Sequence, residues 1–343
     1  MQEDGAIDKL DWLRSQRTGF GSIVPEDDFY HGTAGDGRYD ICETWWFEAI
    51  VPEQQLVAGF YVALRPNIGV ASGGCWIWNG MHRTQSSPAH LDFRIYLPLP
   101  KFDGNHIVLP EMGLDIEILE PLSRARVTYK SPDGQVDADI EFVGLFSPVL
   151  RANGKHFEQA LHGRGTLRIG DAIHQVDSYS FRDRSWGEPR PERPLPHPPI
   201  GWLCGVLGDG NIAFNLSGTD DPSTAEWSGT YQLTKEQAFY DGWVWERGQL
   251  RKVVSMTKRT LREPTDRMRP LKVEVEFQDE TGREYRLRGE PTTGFRMHFW
   301  PNQLGWFGYT DWELDGARGY GECQDYLWHD YIRRFATDAE MSV

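Results

Sequence analysis

The chain has little of what most familiar active sites are built from. Its four cysteines (Cys42, Cys75, Cys204, Cys323) lie far apart with no CxxC pairing, so neither a zinc knot nor a disulfide framework is expected. Its ten histidines show no H-x-x-x-H or H-x-H spacing, and no metal is expected. There is no P-loop, no G-x-S-x-G elbow and no kinase or flavin signature, which makes a mechanism without cofactors the default. The glycines of "GTAGDGRYD" follow no strand and precede no long helix, which leaves a nucleotide site unsupported. No apolar run reaches the roughly 18 residues needed to span a bilayer. The first residues, "MQEDGAIDKLDWLRSQ", have neither the basic nor the apolar region of a secretory signal, so a reducing cytoplasm is the expected location. Positive charge is scarce as well: 36 Lys and Arg against 51 Asp and Glu leave a net charge of -15. That balance argues against nucleic acid or anionic membrane as partner.

What the sequence has in quantity is aromatic surface, with 14 Trp, 13 Tyr and 17 Phe. Clusters such as Trp45-Trp46, Trp76-x-Trp78 and Trp243-x-Trp245 serve either as core or as the wall of a pocket for a large apolar ligand. Alternation dominates elsewhere. Val136, Ala138, Ile140 and Phe142 interleave with acids, as do Leu271, Val273, Val275 and Phe277 with charged residues, and both runs read as half-buried strands. Further strands are expected in "LVAGFYVAL", "CWIWNG", "LDFRIYL", "ARVTYK", "GTLRIG", "WLCGVLG", "NIAFNL", "WSGTYQL" and "EYRLRG". Helical periodicity is confined to "AIDKLDWLRSQ" and "DYLWHDYIRRFATDAE". The fold class is therefore all-β with a C-terminal helix, and no βαβ alternation supports a Rossmann or TIM architecture.

At 343 residues the chain accommodates two ordinary domains. A faint internal echo suggests where they divide. "YDICETWWFEAI" around Glu43 and "YSFRDRSWG" around Asp183 each place Trp shortly after an acid, 140 residues apart, and each leads into glycine-punctuated strands. Two β domains, 1–165 and 166–343, are expected, each carrying one acid-Trp motif near its start. The proline-rich "EPRPERPLPHPP" from Glu188 to Pro199 is too rigid and too poor in donors for a strand interior, and reads as a crossing loop or lid.

Strand alternation also sorts the chemistry. In "FRDRSW", Phe181, Asp183 and Ser185 share one face, and Arg182, Arg184 and Trp186 share the other. Asp183 is thereby separated from both neighbouring arginines. In "ICETWWF", Glu43 shares a face with Trp45 and Phe47, an apolar setting that raises a carboxyl above its usual value of about 4.3 and suits a general acid. An ion pair tying strands together accounts for either acid equally well. Two such acids looking into one apolar cavity would split the roles of acid and base. Other candidate groups are His156 with Glu158 in "GKHFEQ", His298, and the cluster Tyr320, Glu322, Asp325, Tyr326 and His329.

The elements "ETWWF", "LRPN", "HFEQ" and "RDRSWG" resemble bacterial members of the two-domain lipocalin-like group that includes the carotenoid 1,2-hydratases, with lipocalin-like Diels-Alderases as related folds. The resemblance spans roughly residues 25 to 330. It implies two lipocalin-like β-barrel or sandwich domains packed side by side, with an apolar substrate in a barrel mouth or at their contact. The chemistry it implies is protonation of an alkene by a carboxylic acid, followed by capture of the cation by water. On this reading Asp183 and Glu43 are the catalytic pair. Trp45, Phe47, Trp78, Phe181, Trp186, His156, Glu158, Tyr320 and Glu322 surround a small, largely apolar molecule. A cofactor-independent hydratase, dehydratase, isomerase or cyclase, that is a hydro-lyase or an isomerase, is the first reading. A carrier of such a molecule is the second, and a glycan-binding sandwich or glycosidase the third. A homo-oligomer is left open.

Overall fold

The computed structural model describes residues 17–33, 37–190, 196–300 and 302–335. Among these, twenty strands form two antiparallel systems. The first is a 12-stranded sheet built from β1 (Ile41–Val51), β2 (Leu56–Arg65), β3 (Val70–Trp78), β4 (His90–Pro98), β5 (Lys101–Asp103), β6 (His106–Leu109), β7 (Leu114–Glu120), β8 (Arg124–Lys130), β9 (Val136–Gly144), β10 (Val149–Leu150), β11 (His156–Ile169) and β12 (Ala172–Pro189). The second is a closed barrel of β13 (Ile200–Leu207), β14 (Ile212–Gly218), β15 (Phe239–Glu246), β16 (Gln249–Glu263), β17 (Asp266–Asp279), β18 (Glu284–Trp300), β19 (Gln303–Leu314) and β20 (Ala317–Trp328). The helices are a single turn, α1 (Lys235–Ala238), whose first N–H groups are capped by Thr234, and α2 (His329–Phe335). The all-β expectation and the C-terminal helix both hold, although "DYLW" belongs to β20 and the helix starts at His329. The expected N-terminal helix lies outside the described residues.

In the first sheet the order runs β4-β3-β2-β1-β12-β11-β9-β8-β7-β6-β5. The sheet curls, so that Phe60 and Leu64 from one end share a core with Leu109, Ile116 and Val127 from the other. Around β1, β2, β3 and the second half of β12 its outer face does not meet water. Trp46, Tyr61, Trp76 and Trp78 pack there on Phe295, Met297, Phe307 and Tyr309 of the barrel wall, and Phe181 packs on Trp202 and Trp243. Strand β1 is consequently buried along its whole length, the pattern of a strand covered on both faces. By contrast β9 alternates between buried and partly exposed residues, as read from its sequence. Much of the tryptophan content is explained by this second, sheet-to-barrel core.

Two expectations change. The division at 165/166 falls inside β11, because β11 and β12 form one long hairpin paired from His156↔Ser185 to Ile169↔Ala172. The chain passes from sheet to barrel between Pro189 and Ile200, in the proline-rich stretch read as a crossing loop. The two echo motifs consequently do not open separate units. They lie side by side in one sheet, Trp45 opposite Arg184 and Trp46 opposite Asp183. "WSGTYQL" is not a strand either. Gly229 takes φ of 82°, and the Trp227 carbonyl accepts from the Thr230 N–H at 2.9 Å, which turns the chain.

The curled core is tied at its mouth by Arg182. Its guanidinium makes a two-pronged pair with the fully buried Asp28, at 2.9 and 3.2 Å, and donates to Gln159 Oε1 at 2.7 Å. It lies over the rings of Phe47 and Phe157. Removing one member of a buried pair strands the other charge and costs about 3–5 kcal/mol. Arg182→Ala should lower the urea midpoint accordingly while leaving the m-value unchanged, as read by equilibrium denaturation.

Candidate active site at the sheet-to-barrel contact

Because opposed residues in an antiparallel pair share a face, the register of β1 and β12 sorts their charges. Glu43, Trp45, Phe47, Arg182 and Arg184 point into the curled core, whereas Thr44, Trp46, Glu48, Phe181, Asp183 and Ser185 point at the barrel. Glu43 is neutralised by Arg184 at 2.8 Å, both groups being 1% exposed. The same guanidinium lies 3.8 Å above the Trp45 ring and 5.3 Å from Trp186, and Trp186 packs with Leu150 and Phe157. Glu43, Trp45, Phe47 and Trp186 are thus not beside Asp183. The single cavity shared by Glu43 and Asp183 is not formed, because neighbouring strands bring arginine rather than the second acid to Glu43. With the acids on opposite faces, the paired-carboxylate cleft of a glycosidase is not formed by them either.

Asp183 opens on a cavity of about 50 Å³ between sheet and barrel, lined by Thr44, Trp46, Tyr61, Arg190, Phe299, Phe307, Gln324 and Tyr326. That space suffices for a few waters or for the end of a larger molecule. Trp46 reaches the cavity across Gly59, where a Cβ would come within 2.3 Å of the indole. Asp183 is half-buried and makes no hydrogen bond or ion pair with the described residues. Burial pushes its carboxyl up to about 6, Arg190 opposes that shift and Glu158 adds to it. Arg190 is held in place by donating to Ser185 Oγ at 2.7 Å and by its main-chain bond to the Asp40 carbonyl.

The remaining wall has a defined polarity. Tyr326 Oη donates to Gln324 Oε1 at 2.5 Å, which leaves the phenol oxygen free to accept. The buried Tyr61 hydroxyl and the Trp46 Nε1 have no partner among the described residues. They therefore stand as donors at the cavity. A ligand oxygen that accepts from Tyr61 and donates to Tyr326 suits this pattern.

The other candidates are placed as follows. Phe181 lies between Trp202 and Trp243. Trp78 packs on Phe295 at 5.1 Å, and Tyr320 Oη accepts from the Tyr179 N–H at 2.9 Å. Glu158 is satisfied by Arg151 and by the indole N–H groups of Trp202 and Trp243, at 3.0 and 3.3 Å. His156, 3.9 Å from Glu158, is held neutral because burial and the nearby Arg151 push its pKa well below the usual value. Glu322 faces the contact beside Glu48. Asp325 points the opposite way, to Arg262 at 2.7 Å and Lys258 at 3.8 Å, and His298 meets only His329 among aromatic rings. Among the described residues no group of three or more His, Cys, Asp or Glu could hold a metal ion, all four cysteines are buried free thiols, and no helix is long and apolar enough to cross a membrane.

Sequence reasoning missed Glu48, Tyr61, Arg190 and Gln324. For Glu48 the signal was present: it continues the Thr44, Trp46 alternation as an acid within an apolar run. Arg190 carried none, being the first residue past a strand end.

A curled sheet packed on a closed antiparallel barrel, followed by a short helix, makes this an all-β protein of the two-domain lipocalin-like class. The chain belongs to the family described as "Domain of unknown function (DUF7064)", which matches residues 24–330. Among solved structures it is similar to kievitone hydratase from Nectria haematococca, with 11% identity over 93% of this chain and 97% of that one and a TM-score of 0.60. It is also similar to CghA crystallised with Sch210972, at 9% identity over 91% of this chain and 97% of that one, with a TM-score of 0.57. A search of curated protein sequences gave no significant match. At these identities the similarity establishes the fold.

Carbon-13 NMR of protein labelled at Asp carboxyls should show one carboxyl titrating near pH 6 whose signal is lost in Asp183→Asn. Arg190→Met, which removes the cation that favours the ionised form, should move that midpoint upward.

Proposed function

We propose that this protein is a cofactor-independent enzyme, a hydratase or dehydratase, isomerase or cyclase, that uses Asp183 as its proton donor on a largely apolar terpenoid, steroid or polyketide-like molecule. The observation that carries the reading is an acid without a partner among the described residues, raised to about 6, in a cavity walled by Trp46, Phe299 and Phe307. A carrier gains nothing from desolvating such a group. A general acid needs a pKa near the working pH, and aromatic faces stabilise developing positive charge without supplying a nucleophile. One similar structure is that of a hydratase, which fits this class of chemistry.

In this scheme the reacting end of the substrate enters the cavity and the rest lies against its mouth. Protonated Asp183 delivers its proton to an alkene carbon or to a leaving hydroxyl. Arg190 then favours the carboxylate that results, because its charge opposes the upward shift of Asp183. A hydroxyl, whether leaving group or incoming water, is held between Tyr61 as donor and Tyr326 as acceptor. Water enters or leaves through the same contacts, so the geometry serves either direction.

Untargeted mass spectrometry of molecules that copurify with the protein supplies the substrate. With it, Asp183→Asn should lower turnover by roughly 100-fold or more with affinity little changed. Glu43→Gln should reduce stability with a much smaller effect on turnover. The acid form is the reactive one, so activity should decline as pH rises through about 6. Full activity of Asp183→Asn would leave the carrier reading.

A further inference from the structure

The sheet-to-barrel contact holds a second pair of acids that the proposed chemistry does not use. Glu48 from β1 and Glu322 from β20 are each 0% exposed and lie within hydrogen-bonding reach of one another. Neither oxygen of Glu48 has a conventional donor, nor does Oε1 of Glu322, whereas Glu322 Oε2 accepts from Gln324 Nε2. The groups that face the pair are the Cys204 thiol and the Tyr309 ring, cross-strand neighbours of Glu322 from β13 and β19, and the Phe181 main chain from β12. No lysine, arginine or histidine acts on either carboxyl among the described residues.

We propose that Glu48 and Glu322 form a one-proton dyad, the proton on Glu48 and the charge on Glu322, which fixes Gln324 and Tyr326 as the positioned wall of the cavity. Two carboxylates at contact distance without a cation cannot both ionise. Glu322 is the anion because its Oε2 receives the Gln324 side-chain N–H, whereas Glu48 has no more than the approach of the Phe181 main chain among the described residues. The negative end then sets a one-way series of hydrogen bonds: Glu322 takes the Gln324 amide hydrogen, Gln324 Oε1 takes the Tyr326 hydrogen, and the Tyr326 oxygen is left to accept at the cavity. With an uncharged residue at 322 the amide could turn over, and Tyr326 would lose its fixed polarity. Glu48 and Glu322 are thus positioning residues. The inference rests on the packing alone, whether or not Asp183 does chemistry.

Burial and the neighbouring acid push Glu48 well above the usual value, and burial pushes Glu322 up to about 7, so the one-proton form is the state of the pair above about 7. The sign of the resulting linkage follows. Above the unfolded carboxyl pKa the native state keeps a proton the unfolded chain has lost, so stability falls as pH rises until the dyad itself ionises. One retained proton corresponds to a tenfold rise in the unfolding constant per pH unit.

The test uses the whole protein and Glu48→Gln, whose amide supplies the missing hydrogen without a titrating group. Unfolding by urea at several pH values between about 7 and 8 should show the constant rising more steeply in wild type than in Glu48→Gln, by up to tenfold per unit. Infrared spectra near pH 8, where Asp183 is ionised, should show a protonated carboxyl band in wild type and in Asp183→Asn that disappears in Glu48→Gln. For the positioning role, the side-chain amide resonance identified by its loss in Gln324→Met should move in Glu322→Gln. Parallel pH slopes, or a wild type without the band, would overturn the dyad. An amide resonance indifferent to Glu322→Gln would overturn the positioning.

Discussion

The pairing of β1 with β12 decides which charges in this protein are neutralised and which are left available. A register in which Trp45 faces Arg184 and Trp46 faces Asp183 sends arginine into the curled core, where Glu43 and Asp28 wait for it. The same register turns Asp183 toward the barrel, where its carboxyl has no partner among the described residues. A slip of one residue in β12 would exchange its faces and put the arginines against Trp202 and Trp243. The ion pairs of the core and the raised acid of the contact are thus two outcomes of one alignment.

The barrel supplies the other condition, dryness. Its wall covers the outer face of the sheet with Phe295, Met297, Phe307 and Trp243, and the acids caught between the layers respond according to their neighbours. Glu158 has Arg151 and two indole N–H groups, and is a structural fixture. Asp183 has a cation nearby but no bond, and is raised. Among the described residues the pair Glu48 and Glu322 has one side-chain amide donor. The carboxyls of one layer thereby meet very different numbers of hydrogen-bond donors.

The strands and the sorting of "FRDRSW" were legible because period two is a local property and β12 keeps it across this stretch, before the left-handed Gly187. The lipocalin-like class was legible from a few motifs. Which face of β1 would meet which face of β12 was not, since register depends on residues 140 apart in the chain. Glu43 was misread for this reason: its own strand is apolar, and Arg184 arrives from the neighbour. The division of the chain was misplaced because the echo marks two strands that pair, not two units that repeat. "WSGTYQL" had strand composition, but a glycine in the left-handed region bent it.

The site is composed across a sliding surface. Asp183, Trp46 and Tyr61 ride on the sheet, while Gln324, Tyr326, Phe299 and Phe307 ride on the barrel. Adjacent strands are about 4.8 Å apart, so a lateral shift of the barrel by a single strand would bring the side chains of β13 or β19 opposite Asp183 in place of those of β20. The acid, Trp46 and Tyr61 would stay in position while the barrel's half of the cavity lining was exchanged. Diversification within such an architecture can therefore proceed by re-docking two rigid bodies, with the loops left untouched.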